Sequence, residues 1–266
     1  MQQANVKTSD MAWYTWNWYE QLLGQIAQNG FTFADYINYA KFPRPCILRH
    51  DVDFSLQRAL EMARFEAGLD AVQDVHATFF VLLNSEFYNP RSPESRNILA
   101  ELTSLGHHIG LHFDTKVYVD GLTVEEFSIK VQEEAAQLSE LAHIEIQSMS
   151  MHRPSQALLA ADLEIPGIVN TYSDFYFHKF KYISDSGLFW RENPYDVIAS
   201  NEVRRLHLLI HPVWYSKTTE GLTEKLFAIG DKAGCNTIMR FGAEVYPRLF
   251  DALSKEEIQC HFHSQK

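Results

Sequence analysis

The chain has 266 residues, 46% hydrophobic and 21% charged, which puts it at the upper end of a single domain with a substantial core. A formal net charge of -11 removes any electrostatic reason to expect nucleic acid or an anionic membrane as partner. Cys46, Cys235 and Cys260 have no Cys-x-x-Cys spacing, so neither a zinc knuckle nor a disulfide framework is expected, and the thiols read as reduced and buried.

The first twenty residues lack a basic start and a continuous apolar run, and no later stretch has the length to span a bilayer, so a cytoplasmic location is expected. Thr15 caps a predicted helix with Trp16, Tyr19, Leu23 and Ile26 at helical spacing, stopped at Asn29-Gly30. Cys46 to Leu48 is a short apolar run that ends in the polar segment Arg49 to Asp53, a strand with a polar end. Ser55 starts the next helix, and Ala77 to Leu83 is an apolar run of strand length, the mark of a strand covered on both faces. A helix through Ile98, Leu99, Leu102 and Leu105 stops at Gly106, and His107 to His112 follows as a strand.

Thr123 and Glu126 form a capping box for a helix carrying Val124, Phe127, Val131 and Leu138. Ile146 to Met151 reads as a strand ending in His152-Arg153-Pro154, and 155–163 as a helix. Further strands are expected at Ile168 to Tyr172 and Leu206 to Ile210, and helices near 219–233 and 243–254. This alternation argues for a parallel sheet or barrel. Polar, reactive residues stand directly after the strands at Asp51/Asp53, His112/Asp114, His152/Arg153 and His211, and in a β/α barrel such strand ends converge on one face.

Five ordered segments from residue 47 to residue 215 resemble the motifs of polysaccharide deacetylases, the NodB-homology carbohydrate esterases of family four. Arg-His-Asp-Val-Asp (49–53) matches the motif that supplies a base and a metal ligand, which implies Asp51 as base and Asp53 as ligand. Residues i and i+2 of an extended chain point the same way, so the two carboxylates can share a site. Gly-His-His-Ile-Gly-Leu-His (106–112) supplies His112 as the first motif histidine, but Lys116 occupies the place of the second. His108 cannot replace it, being about 13 Å from His112 along a strand. Asp114 is the nearest substitute oxygen donor, with His152 the alternative third ligand, and zinc, iron, manganese or cobalt accept such mixed donors.

His152-Arg153-Pro154 resembles the motif whose arginine pairs with the base, and His152 is an additional candidate for contact with substrate or metal. Asp185 and Trp190 in Tyr-Ile-Ser-Asp-Ser-Gly-Leu-Phe-Trp (182–190) resemble the fourth motif, with Trp190 as an apolar wall for substrate. His211, after Leu-His-Leu-Leu-Ile (206–210), resembles the general acid of the fifth, supported by Asp185.

The resemblance implies a single-domain distorted (β/α)7-type barrel over 41–266, preceded by an N-terminal helical extension over 1–40. The implied activity is divalent-metal-dependent removal of an N-acyl group from a sugar, or from a nucleotide-linked or lipid-linked sugar, in surface-polysaccharide (O-antigen or capsule) biosynthesis. A non-catalytic carbohydrate-binding descendant, or a hydrolase of another C–N bond in a cyclic imide or ureide, stays open beside it.

Overall fold

The structure is a computed structural model that describes residues 10–225 apart from 71, 73, 119, 120, 201 and 223. The helices expected at 219–233 and 243–254 lie largely or wholly outside these residues.

Chain order is α1 (Trp16–Gln28), β1 (Thr32–Ala34), β2 (Pro45–Val52), α2 (Leu56–Ala67), β3 (Thr78–Leu82), α3 (Pro93–Ser104), β4 (His108–Asp114) and α4 (Val124–Ala142). It continues with β5 (Ser148–His152), α5 (Gln156–Ala160), β6 (Val169–Asn170), α6 (Asp174–His178), β7 (Lys181–Ser184), α7 (Pro194–Ala199) and β8 (Leu206–Ile210). All strand pairings are parallel, in the order β6-β5-β4-β3-β2-β8-β7, and β1 pairs the start of β2 beside them. The sheet curls with helices around it, a distorted β/α barrel as the alternation of elements predicts.

Local chemistry sets the element ends. The hydroxyls of Thr15, Ser55, Ser92 and Thr123 accept backbone N–H groups at the starts of α1 to α4, and Thr123 with Glu126 completes the predicted capping box. Three expectations are revised. The helix predicted over 155–163 is only α5, the chain turning away through Asp162 at φ 41°. The strand predicted over 168–172 shrinks to two residues at the sheet edge. β7 adds a strand that the pattern does not predict, because Lys-Tyr-Ile-Ser carries one aliphatic residue and looks polar on its own.

The sheet separates two kinds of interior. On the helix side, Leu48, Phe79, Val81, Leu111, Phe113, Met149, Leu208 and Ile210 join the apolar faces of α1 to α4 in one core. On the barrel side, Ile47, Phe80, Tyr36, Tyr176 and Phe180 form a small aromatic plug below the polar strand ends. Tyr172, Phe177 and Tyr182 make tilted ring contacts beside it, where α6 connects β6 and β7, the two ends of the strand order among the described residues. A buried polar network ties the helix side together: Glu66 of α2 accepts from Tyr19 Oη of α1 at 2.5 Å and lies 2.8 Å from His50 Nε2 of β2.

The barrel side is packed tightly at Gly110. A Cβ there would stand 2.3 Å and 2.5 Å from carbons of the Phe80 ring and 3.0 Å from Ser148 Oγ. Gly110→Ala is therefore expected to destabilise the fold by about 1–3 kcal/mol through overpacking. Urea unfolding measures this, and an unchanged midpoint would mean that the Phe80 ring yields freely. No helix among the described residues is long and apolar enough to cross a membrane.

Candidate metal and catalytic centre

The C-terminal ends of β2, β4, β5 and β8 open onto a cleft of about 360 Å³, lined by Asp51, Asp53, His112, His152, Arg153 and His211 together with Tyr172 and Leu209. Parallel register brings them together: His112 lies beside Ser150 and Asp114 beside His152 across β4 and β5, while His50 pairs with Ile210, so Asp51 and His211 continue side by side. A larger open groove of about 900 Å³ near the starts of β7 and β8, lined by Lys181, Glu192 and Arg205, contains none of these residues and no converging donor set.

Asp53, His112 and His152 are all buried, and one donor atom from each lies within 4.8 Å of the others. Asp53 Oδ1 is 3.1 Å from His112 Nε2 and 3.3 Å from His152 Nδ1. Burial alone would raise the Asp53 pKa, but the two imidazoles hold it well below the usual carboxylate range. His112 Nδ1 sits 2.6 Å from Ser150 Oγ, an outer contact that fixes the ring and leaves Nε2 facing the cleft. Two imidazoles and a carboxylate form a donor set that suits a divalent transition ion and leaves positions open on the cleft side.

Asp114, the expected third ligand, does not join this group. Its carboxylate accepts from Lys116 N at 3.0 Å, capping the turn that follows β4, and forms an ion pair with Arg153. Arg153 adopts φ 53°, and its side chain meets Asp114 rather than the base aspartate that the motif resemblance implies. His152 takes the place in the donor set expected of Asp114. Lys116 is exposed at the cleft mouth, where its charge is solvated.

Asp51 is held instead by Arg49, two residues earlier on β2. Arg49 Nε and Nη2 donate to the two carboxylate oxygens at 2.8 Å and 2.7 Å, and both residues are buried. Burial pushes the Asp51 pKa up, but Arg49 first, then His112, brings it below the ordinary value. The motif resemblance gives Arg49 no role, although an arginine inside a buried strand, facing the same way as Asp51, is a readable signal.

His211 Nδ1 lies 2.6 Å from Asp185 Oδ1, and the same carboxylate accepts the His211 backbone N–H at 3.0–3.1 Å. Its Nε2 reaches toward the cleft, 3.9 Å from Asp53 Oδ2. Burial opposes charge on this ring, but Asp185 outweighs it and, with Asp53 and Asp51, pushes the pKa up to about 9. Trp190, the expected substrate wall, lies elsewhere: it is 7% exposed and packs 5.8 Å from Trp18 of α1. Tyr172 lines the cleft instead. His107 is buried among backbone groups of Ala63 and Ala77, and His108 meets Asp35 at the opposite end of β4, so neither reaches the cleft.

No protein-family model and no curated protein matches the chain. Solved structures similar to it include a CE4 family pseudoenzyme from Bacillus anthracis, at 15% identity and TM-score 0.36, covering 71% of this chain and 63% of that one. A Streptococcus pyogenes deacetylase in complex with acetate is 12% identical at TM-score 0.41, covering 74% of this chain and 81% of that one. A family 4 acetyl xylan esterase from Clostridium thermocellum, in complex with a cobalt ion, is 14% identical at TM-score 0.39, covering 63% and 73%. The chain thus spans less than two thirds of the Bacillus anthracis protein.

Proposed function

We propose that this chain is a NodB-type, metal-dependent amide hydrolase that removes an N-acyl group, acetyl in the simplest case, from a sugar or a nucleotide-linked or lipid-linked sugar precursor. The surface-polysaccharide setting and cytoplasmic site of action belong to the same proposal, the former resting on the His-Asp-Val-Asp form of residues 50–53. The observation that carries the chemistry is the meeting of three functions in one cleft: a buried Asp53-His112-His152 donor set, the ionised carboxylate of Asp51 and the Asp185-backed imidazole of His211.

Asp53, His112 and His152 would hold the divalent ion. When bound, it supplies Lewis acidity to the acyl carbonyl and to water. Asp51 accepts the proton of the attacking water as a carbon–oxygen bond forms at the acyl carbon. His211 Nε2 donates a proton to the nitrogen as the carbon–nitrogen bond breaks, leaving a free amine and a carboxylic acid. Asp185 keeps the ring oriented and protonated until then. Tyr172, Leu209, Met151 and Pro154 supply the apolar part of the cleft wall, where an acyl methyl would lie.

The test is metal analysis of protein purified without a histidine tag, followed by a screen of N-acetylated sugars and nucleotide sugars for released acetate. A bound divalent ion, and acetate release that stops on chelation, are expected. Ring opening of a cyclic imide without acetate release would replace the deacetylase reading. Sugar binding with neither metal nor turnover would replace it with a binding role.

A further inference from the structure

We infer that Arg49, not Arg153, is the residue that positions Asp51 for proton abstraction, and that Arg153 is a latch for Asp114. The inference deepens the hydrolase reading and rests on it for its catalytic meaning. Arg49 lies within β2 and Arg153 directly follows β5, and the two face different carboxylates. Arg49 meets Asp51 side-on through Nε and Nη2, at 2.8 Å and 2.7 Å, in the two-pronged arrangement that fixes a carboxylate in both position and rotation. Arg153 donates through Nε and Nη2 to Asp114.

What surrounds Arg49 makes the fork rigid. The guanidinium lies 4.9 Å from the Tyr172 ring centre and 5.3 Å from that of Phe80, while Nη1 donates to Thr171 Oγ1 at 3.3 Å. It is wholly buried, so water cannot replace these contacts. A buried arginine is costly unless its hydrogen-bonding groups are met and its charge is balanced, and Asp51 supplies the balancing charge. Arg49 and Asp51 also share one face of β2, and Asp53 follows directly after its last residue. One strand therefore carries the clamp and the base, and the metal donor Asp53 comes immediately after it, one residue beyond its end.

The division of labour also explains how His152 comes to complete the donor set. With Asp51 already clamped from its own strand, Arg153 can turn to Asp114, and its left-handed backbone sends its side chain there while His152 reaches Asp53. Arg49 is in this sense a positioning residue: it touches the base, not the substrate.

Crystal structures and kinetics of Arg49→Met and Arg153→Met test the assignment. In Arg49→Met the Asp51 carboxylate is expected to rotate or shift by about 1 Å, and kcat to fall about 100-fold with KM and cobalt(II) affinity little changed. In Arg153→Met, Asp51 should stay in place and Asp114 should move. Arg49→Lys, which reaches only one carboxylate oxygen, should recover part of the lost kcat, and it carries the same contrast if Arg49→Met does not fold. An unmoved Asp51 and unchanged kcat in the Arg49 variants, or displacement of Asp51 in Arg153→Met, would overturn the inference. The crystallographic comparison needs no turnover, so failure of the wild type to hydrolyse any amide would count against the hydrolase reading while the displacement of Asp51 still decides which arginine holds it.

Discussion

Replacement of His211 by alanine is expected to lower kcat by about two to four powers of ten, the loss usual when a general acid is removed, with KM changed far less. An amide nitrogen leaves poorly unless it is protonated as the bond breaks, so the acid matters as much as the nucleophile. The ring is prepared for this role. Asp185 binds Nδ1 at 2.6 Å, which leaves Nε2 as the atom that delivers a proton to the cleft. Burial alone would favour the neutral ring, yet the Asp185 carboxylate overrides it and lifts the pKa to about 9. The imidazolium is then the resident form at neutral pH and is lost as pH rises through that value, so kcat should decline on the alkaline side.

In the loaded enzyme a cation on Asp53 competes for part of that carboxylate's pull on His211, which moves the decline below pH 9. Asp185→Asn removes the strongest support and should move it lower again. The same shift couples to folding. A pKa raised from 6.5 to about 9 adds stability that is whole below pH 6.5 and lost as pH rises through the folded value. The pH profile of kcat measures the catalytic part. Wild-type kcat on an unactivated amide in His211→Ala would make the imidazole structural.

Apolar runs that end in Asp, His or Arg make the convergence of β2, β4, β5 and β8 legible in the sequence, because in a parallel barrel the ends of successive strands must face one another. The pairing of charges within the cleft is not legible in the same way. Asp51, Asp53 and Asp114 are three carboxylates within reach of two arginines, and chain order does not say which arginine takes which. The parallel register decides it: Asp114 of β4 lies opposite His152, one residue before Arg153, whereas Arg49 already shares a face with Asp51. Backbone conformation sets a further limit. The left-handed turn at Arg153 and the capping of Lys116 N by Asp114 are local geometries with no periodic signature. Trp190 suits the cleft on chemical grounds because aromatics stack on sugar faces, but Trp18 and Tyr195 offer the tryptophan cluster helix-side partners that the motif does not reveal.

His152→Ala is expected to weaken metal binding by more than about 100-fold, because even the outer partners of metal ligands are commonly worth about 10- to 100-fold in affinity. Charge is distributed unevenly around the cleft. Arg49 balances Asp51 and Arg153 balances Asp114, whereas Asp53 stands between the imidazoles of His112 and His152, the donors that suit a divalent cation. Lys116 is exposed, and solvent weakens its repulsion, so Lys116→Ala should change affinity little. Asp114→Ala has one indirect consequence: it removes the negative charge that faces Arg153 beside the cleft, and this loss of balance should weaken the metal modestly. Asp114→Ala combined with Arg153→Ala removes both charges and should return affinity close to wild type. Asp53→Asn should lose metal and turnover together, whereas Asp51→Asn should lose turnover and keep the metal. Titration of cobalt(II) into each purified variant separates these outcomes. Normal binding in His152→Ala, with metal lost in both Asp114→Ala and the double variant, would restore Asp114 as the third ligand. Absence of metal from the wild type under all conditions would end the metallo-hydrolase reading itself.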